Sequence, residues 1–212
     1  MRNDKKAVIF DFDGTMATTE VATMEALNVL ATKYGYALLS PADMEDYKRI
    51  GAKRFYKRLR VPFWKLLAFS REAREEYGKK IWELELHQGI LDVTRGLKTN
   101  NYILGVITSN MSGRVGDFLL SNEIVQMDFI SAGGGFFGKA KMLSKLLREY
   151  NLESGNVVYV GDETRDVEAA LKAGVLFVGV SWGLGTKDSL EQTGALCVVD
   201  KPSELLSCLL NI

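Results

Sequence analysis

Short apolar runs that do not alternate with polar residues constrain this chain most. Ala7–Phe10, Tyr102–Ile107, Phe129–Ile130, Val157–Val160 and Val175–Val180 are such runs, and Leu196–Val199 is a weaker one. A strand with one wet face alternates, whereas a continuous apolar run predicts a strand covered on both faces, as in a parallel sheet. Helical stripes lie between the runs: Met142, Leu143, Leu146, Leu147 and Tyr150 form one, and Val167, Ala170 and Leu171 another. The pattern predicts an α/β fold, an open parallel sheet flanked by helices, with ligands bound beyond the carboxyl ends of the strands.

The first two runs are too far apart for one crossover. Residues from about Met16 to Gly89 are helical in pattern, with Met24, Leu27, Leu30 and Tyr34 in one stripe and Ala73, Tyr77, Ile81 and Leu84 in another. Gly35, Pro41 and Val61-Pro62 punctuate them. The expected arrangement is a helical lid over 17–88, inserted into a core made of 1–16 and 89–212.

The first run ends in Asp11-Phe12-Asp13-Gly14-Thr15. Strand alternation would point Asp11 and Asp13 the same way, two like charges beside an apolar core. A divalent cation would relieve their repulsion and desolvation, and carboxylate oxygens suit magnesium. An aspartate held against such a cation is also a nucleophile for phosphorus. The other strands end on polar groups too. Thr108-Ser109-Asn110 follows one, a glycine-rich turn and then Lys139 follow another, and Gly161-Asp162-Glu163-Thr164-Arg165-Asp166 follows a third. Placed on one sheet edge, these groups make up a nucleophile, an acid/base, anion-binding donors and metal ligands, the set that phosphoryl transfer requires.

With these four motifs in this order, the chain resembles the haloacid dehalogenase superfamily over essentially its whole length, in the magnesium-dependent phosphatase branch with a helical cap. It is similar to phosphoglycolate-phosphatase-like proteins. The resemblance implies a Rossmann-like core with the cap inserted after the first motif. It also implies that Asp11 is the nucleophile forming an aspartyl-phosphate, and that Asp13 is the general acid and then base, lending its backbone carbonyl to the metal. Thr108 and the Ser109 N–H would bind phosphoryl oxygens, Lys139 would neutralise charge on nucleophile and phosphate, and Asp162 and Asp166 would hold Mg2+. Lys141 rivals Lys139, which is preferred because it comes first after the turn. The carboxylate at Asp13 disfavours dehalogenation. A phosphomutase of the same fold and a non-catalytic phosphate-binding module are the alternatives. The run Met16-Ala17-Thr18-Thr19-Glu20 departs from the leucine and acidic residue that many relatives carry there, which bears on the substrate and leaves the reaction untouched.

Composition sets the partners. The 27 basic and 27 acidic residues cancel, so no net field draws the chain to nucleic acid or an anionic membrane. No apolar stretch approaches a membrane span, and no signal-peptide pattern stands at the N-terminus, so the expected location is the cytoplasm and the expected partner a small phosphorylated metabolite. The oligomeric state is left open. Cys197 and Cys208 read as reduced packing residues. Gly133–Gly138 contains Gly-x-Gly-x-x-Gly, but Phe136 and Phe137 would crowd a pyrophosphate, so it reads as the turn before Lys139. Lys48, Arg49, Lys53, Arg54, Lys57, Arg58 and Arg60, with no acid among them, read as a solvated helix face or as a surface that attracts phosphorylated substrate. His87, the single histidine, reads as structural, and Trp182 and Gly183, after the fifth strand, read as packing residues or as bordering the site. Glu163 reads as solvent-facing or as tuning the metal site.

Overall fold

A computed structural model describes residues 5–48, 61–109, 112–133 and 138–212. Six parallel strands form the sheet: β1 (Ala7–Asp11), β4 (Ile103–Thr108), β5 (Phe129–Ala132), β6 (Val157–Gly161), β7 (Leu176–Val180) and β8 (Cys197–Val199). Their order is β5-β4-β1-β6-β7-β8. The chain builds outward from β1 on one side, then crosses to β6 on the other. The gap between β1 and β6 is thus the topological switch point, where strand ends diverge and leave a crevice.

Every residue of β1 is buried, and alternation divides them between two cores. Val8 and Phe10 join a cluster with Ile90, Val93 and Leu97 of α4 (Ile90–Thr99), Val115 and Phe118 of α5 (Ser112–Ser121), and Leu205 and Leu209 of α9 (Pro202–Leu210). Ala7 and Ile9 pack on the opposite face. Their neighbours there are Leu143 and Leu146 of α6 (Lys139–Glu149), Val167 and Ala170 of α7 (Thr164–Ala173), and Leu190 of α8 (Lys187–Thr193). Coverage on both faces is what the unbroken apolar runs require. β5 extends two residues past its apolar run, because Ser131 and Ala132 continue the ladder opposite Ile107 and Thr108.

The chain leaves the sheet through β2 (Ala17–Thr18) and returns through β3 (Glu85–Leu86), an antiparallel pair. Between them lie α1 (Glu20–Tyr34), α2 (41–48) and α3 (Leu66–Gly78). These helices share a separate cluster in which Leu27, Leu30, Met44, Tyr47, Phe69 and Ala73 are buried. Leu184, from the loop after β7, joins that cluster and ties the helices to the sheet edge. The stripe from Ala73 to Leu84 is not one helix. α3 ends at Gly78, a turn at Lys79-Lys80 intervenes, and Ile81–Glu83 forms a 3-10 turn. Ala73 therefore faces the helical cluster, while Tyr77, Ile81 and Leu84 pack with the sheet-side core.

Cys197 and Cys208 meet across β8 and α9 as free thiols, and burial together with the neighbouring sulfur pushes Cys197 up to about 12. No helix among the described residues is long and apolar enough to cross a membrane.

Candidate active site

The crevice between β1 and β6 collects the carboxylates. Asp11 closes β1, and Asp162 and Asp166 follow β6; a carboxylate oxygen from each lies within 4.8 Å of the others, and all three side chains are buried. Lys139, at the start of α6, reaches under them. Its Nζ donates to Asp11 Oδ2 at 2.7 Å and also to Asp166 Oδ1. Lys141 is exposed, so the lysine paired with Asp11 is Lys139.

Each carboxylate is held by donors that fix its orientation. Asp11 Oδ1 accepts from the Phe12 N–H at 2.9 Å. Asp162 accepts from Thr15 Oγ1 at 3.1 Å and from the Leu184 N–H at 2.7 Å. Asp166 accepts from the Glu163 N–H at 3.2 Å, as half of the capping box that starts α7, and from Tyr159 Oη at 3.3 Å. The Gly-Thr of the first motif thus serves Asp162. Thr15 donates to it, while Gly14, at φ 77°, lies so close that any Cβ would strike the carboxylate. Gly183 closes on the same carboxylate from the other side.

Among the described residues, four buried carboxylates, those of Asp11, Asp162, Glu163 and Asp166, have two cations beside them, the Lys139 ammonium and the Arg165 guanidinium, which is ion-paired with Glu163. The imbalance shows in the titration of the site. Burial, with the charges of Asp166 and Asp13, outweighs Lys139 and raises Asp11 to about 7. Burial first, then Glu163 and Asp11, push Asp162 well above the carboxylate range. Burial lowers Lys139, but the charges of Asp11 and Asp166 together outweigh it and raise the ammonium above its usual range. Buried oxygen donors with excess negative charge fit a hard divalent cation, which would offset the repulsion and keep the group ionised.

Asp13 lies apart from this group. β1 stops at Asp11, so strand alternation does not extend to Asp13. A turn closed by the Met16 and Ala17 N–H groups on the Phe12 carbonyl sets it instead. Its Oδ1 accepts from Tyr77 Oη at 2.6 Å, so a helix of the insertion touches the second aspartate of the motif. Tyr77 was legible only as part of an apolar stripe, and no pattern marked its hydroxyl. Thr108 is fully buried at the end of β4, and Ser109 follows it, half-buried. Asn110 and residues 134–137 of the glycine-rich turn lie outside the described residues, as does the basic run except Lys48. Lys48 binds Glu20 at 2.7 Å, so its charge is engaged on the inserted helices.

A cavity of about 100 Å³ opens over Asp13 and Ser109. Thr23, Ser70, Arg74 and Tyr77 of the insertion line it, and Arg165 reaches it from the sheet side. Trp182 borders the point where the insertion returns: its Nε1 donates to the Thr15 carbonyl at 3.1 Å, and its ring lies 6.0 Å from that of His87.

Comparison with known proteins agrees with this fold. The chain is 27% identical to a phosphoglycolate phosphatase of Synechococcus elongatus over 208 residues, 98% of each chain. It is 25% identical to one from Vibrio cholerae, over 97% of each chain. The fold superposes on the crystal structure of a predicted phosphatase from Clostridium acetobutylicum with a TM-score of 0.84 at 20% identity, covering 98% of this chain and 99% of that one. A haloacid dehalogenase-like family protein from Streptococcus pneumoniae gives a TM-score of 0.80 at 21% identity, covering 97% and 98%. Residues 8–180 match the family described as haloacid dehalogenase-like hydrolase. That span runs from β1 to the end of β7 and includes every carboxylate around Lys139, and on it the chain belongs to the haloacid dehalogenase-like hydrolases.

Proposed function

We propose that this protein is a magnesium-dependent phosphatase of small phosphomonoesters, acting in the cytoplasm, with phosphoglycolate as the default substrate by likeness to its relatives. The observation that carries the reading is the buried Asp11–Asp162–Asp166 group around Lys139 at the switch point of the sheet. Asp11, Asp162, Asp166 and the backbone carbonyl of Asp13 would hold Mg2+. When bound, that ion neutralises phosphoryl charge and favours the ionised form of Asp11.

The residues divide the work. Thr108 and the Ser109 N–H bind phosphoryl oxygens, and Lys139 faces both the nucleophile and the charge that develops on phosphorus. An Asp11 oxygen attacks phosphorus and forms an aspartyl-phosphate as the ester P–O bond breaks, and Asp13 gives its proton to the leaving alkoxide. Asp13, now ionised, takes a proton from water. The resulting hydroxide attacks phosphorus, releasing phosphate and restoring the Asp11 carboxylate. Residues 17–88 act as the lid over a core of 1–16 and 89–212, and the β2–β3 pair is the hinge. Tyr77 brings the lid onto Asp13, so closure both excludes water and orients the acid.

The test is phosphate release from a panel of small phosphomonoesters, with magnesium or with EDTA, for wild type and Asp11→Asn. Release that requires both magnesium and Asp11 is expected. Release that survives EDTA or Asp11→Asn contradicts the mechanism. A phosphorylated product in place of free phosphate identifies a mutase, and no turnover by folded protein leaves a binding module.

A further inference from the structure

A second cleft, of about 290 Å³, lies between α3 and α5, next to the cavity over Asp13. Arg71, Arg74, Glu75, Lys79, Ser109 and Arg114 line it, and it joins the first cavity through Arg74 and Ser109, which line both. Its charges do not cancel. Arg71 pairs with Glu75 and Lys79 with Glu76. Arg74 and Arg114 have no acidic partner among the described residues, yet both are half-buried. Gly78 makes room for Arg114: a Cβ there would come within 2.6 Å of its Nη1, so the guanidinium lies against the α3 backbone.

A flexible cation without a partner gains by extending into water. Two of them held half-buried across one cleft, beside a hydroxyl at the phosphoryl-binding end, form an oxyanion site, because the guanidinium fork matches carboxylate and phosphate alike. We propose that this cleft binds a second oxyanion, a carboxylate or a phosphate, carried on the alcohol portion of the substrate, and that Arg74 and Arg114 set specificity through it. The proposal rests on the phosphatase reading and narrows its substrate class to phosphomonoesters with an anionic tail. An uncharged tail would leave both cations desolvated and unpaired, which is a strong basis for discrimination.

The experiment compares kcat/KM for phosphoglycolate, for propane-1,3-diol bisphosphate and for propyl phosphate, in wild type, Arg74→Gln, Arg114→Gln and Gly78→Ala. The ratio of an anionic-tailed ester to propyl phosphate should fall about 10- to 100-fold in the arginine variants, mainly through KM. Gly78→Ala removes no charge and improves helix propensity, but it displaces the Arg114 head group, so it should shift the ratio the same way. A response confined to the carboxylate or to the bisphosphate tells which oxyanion is bound. An unchanged ratio in both arginine variants, with phosphate still released, overturns the proposal and leaves the phosphatase reading standing. If wild type hydrolyses none of the esters, the phosphatase reading fails, and calorimetric binding of the same esters to Asp11→Asn protein decides the cleft. Tail-dependent affinity lost on adding Arg74→Gln upholds the cleft, and affinity indifferent to the tail, or no binding, overturns it.

Discussion

Asp13 receives its hydrogen bond from Tyr77, 64 positions away in the chain, and this contact links the chemistry to the insertion. Tyr77→Phe keeps the buried ring and removes one donor to a carboxylate. The expected result is a kcat lowered about 10-fold, or ~1.4 kcal/mol of barrier, with unchanged thermal stability, read from steady-state kinetics and calorimetry. An unchanged kcat would show that Tyr77 serves packing alone. His87 carries a pH prediction. Burial lowers it from 6.5 to about 4, and its Nε2 has no hydrogen-bond partner among the described residues. Above pH 6.5 the ring is neutral in both folded and unfolded chains. As pH falls toward 4 the unfolded chain takes up a proton that the folded one refuses, so stability is lost in that window. Measured by denaturant unfolding as the difference between wild type and His87→Gln, which cancels the carboxylates' own titration, wild type should lose about 1 kcal/mol relative to the variant between pH 7 and 5, less than the full linkage because the ring is partly screened. Asp11, Lys139, Asp162 and Asp166, which the structure brings together, were legible as candidates because each comes after an apolar run. The Tyr77 hydroxyl was not, and neither was the service that Thr15 and Gly183 give to Asp162, because such contacts arise only when distant segments meet.

At the scale of elements, close approach of backbone and ring fixes the sheet. Gly105 of β4 lies beneath the Phe129 ring of β5, where any Cβ would overlap the ring atoms. Gly105→Ala should destabilise the fold by about 1–3 kcal/mol in denaturant titration, with phosphatase activity per folded molecule preserved, since the change overpacks a layer without touching the crevice. Strand positions were readable from continuous hydrophobicity, and Val157–Gly161 and Leu176–Val180 fall on their runs. The β2–β3 pair was not, because two residues per strand carry no period. The end of α3 was misplaced for a related reason. Ile81 and Leu84 keep helical spacing from Ala73 and Tyr77, although the chain turns at Lys79-Lys80 and carries them to a different core.

For the molecule as a whole, the fold does for the site what no single motif could. Parallel strands end together, the change of winding direction opens a crevice between β1 and β6, and groups from distant parts of the sequence converge there. That convergence followed from sequence, because each reactive group comes just after a strand. The docking of the helices did not, since it depends on contacts such as Leu184 with the helical cluster and Tyr77 with Asp13. The central claim is that phosphorus passes through the carboxylate of Asp11. The most direct measurement is to mix wild-type protein with magnesium and a turned-over phosphomonoester, quench in acid during turnover, and map the peptides by mass spectrometry. The account predicts one phosphoryl group on the peptide containing Asp11, absent in Asp11→Asn and in unreacted protein. Phosphoryl on Thr108, Ser109 or any other residue, or turnover with no covalent adduct under conditions that preserve acyl phosphates, would contradict it.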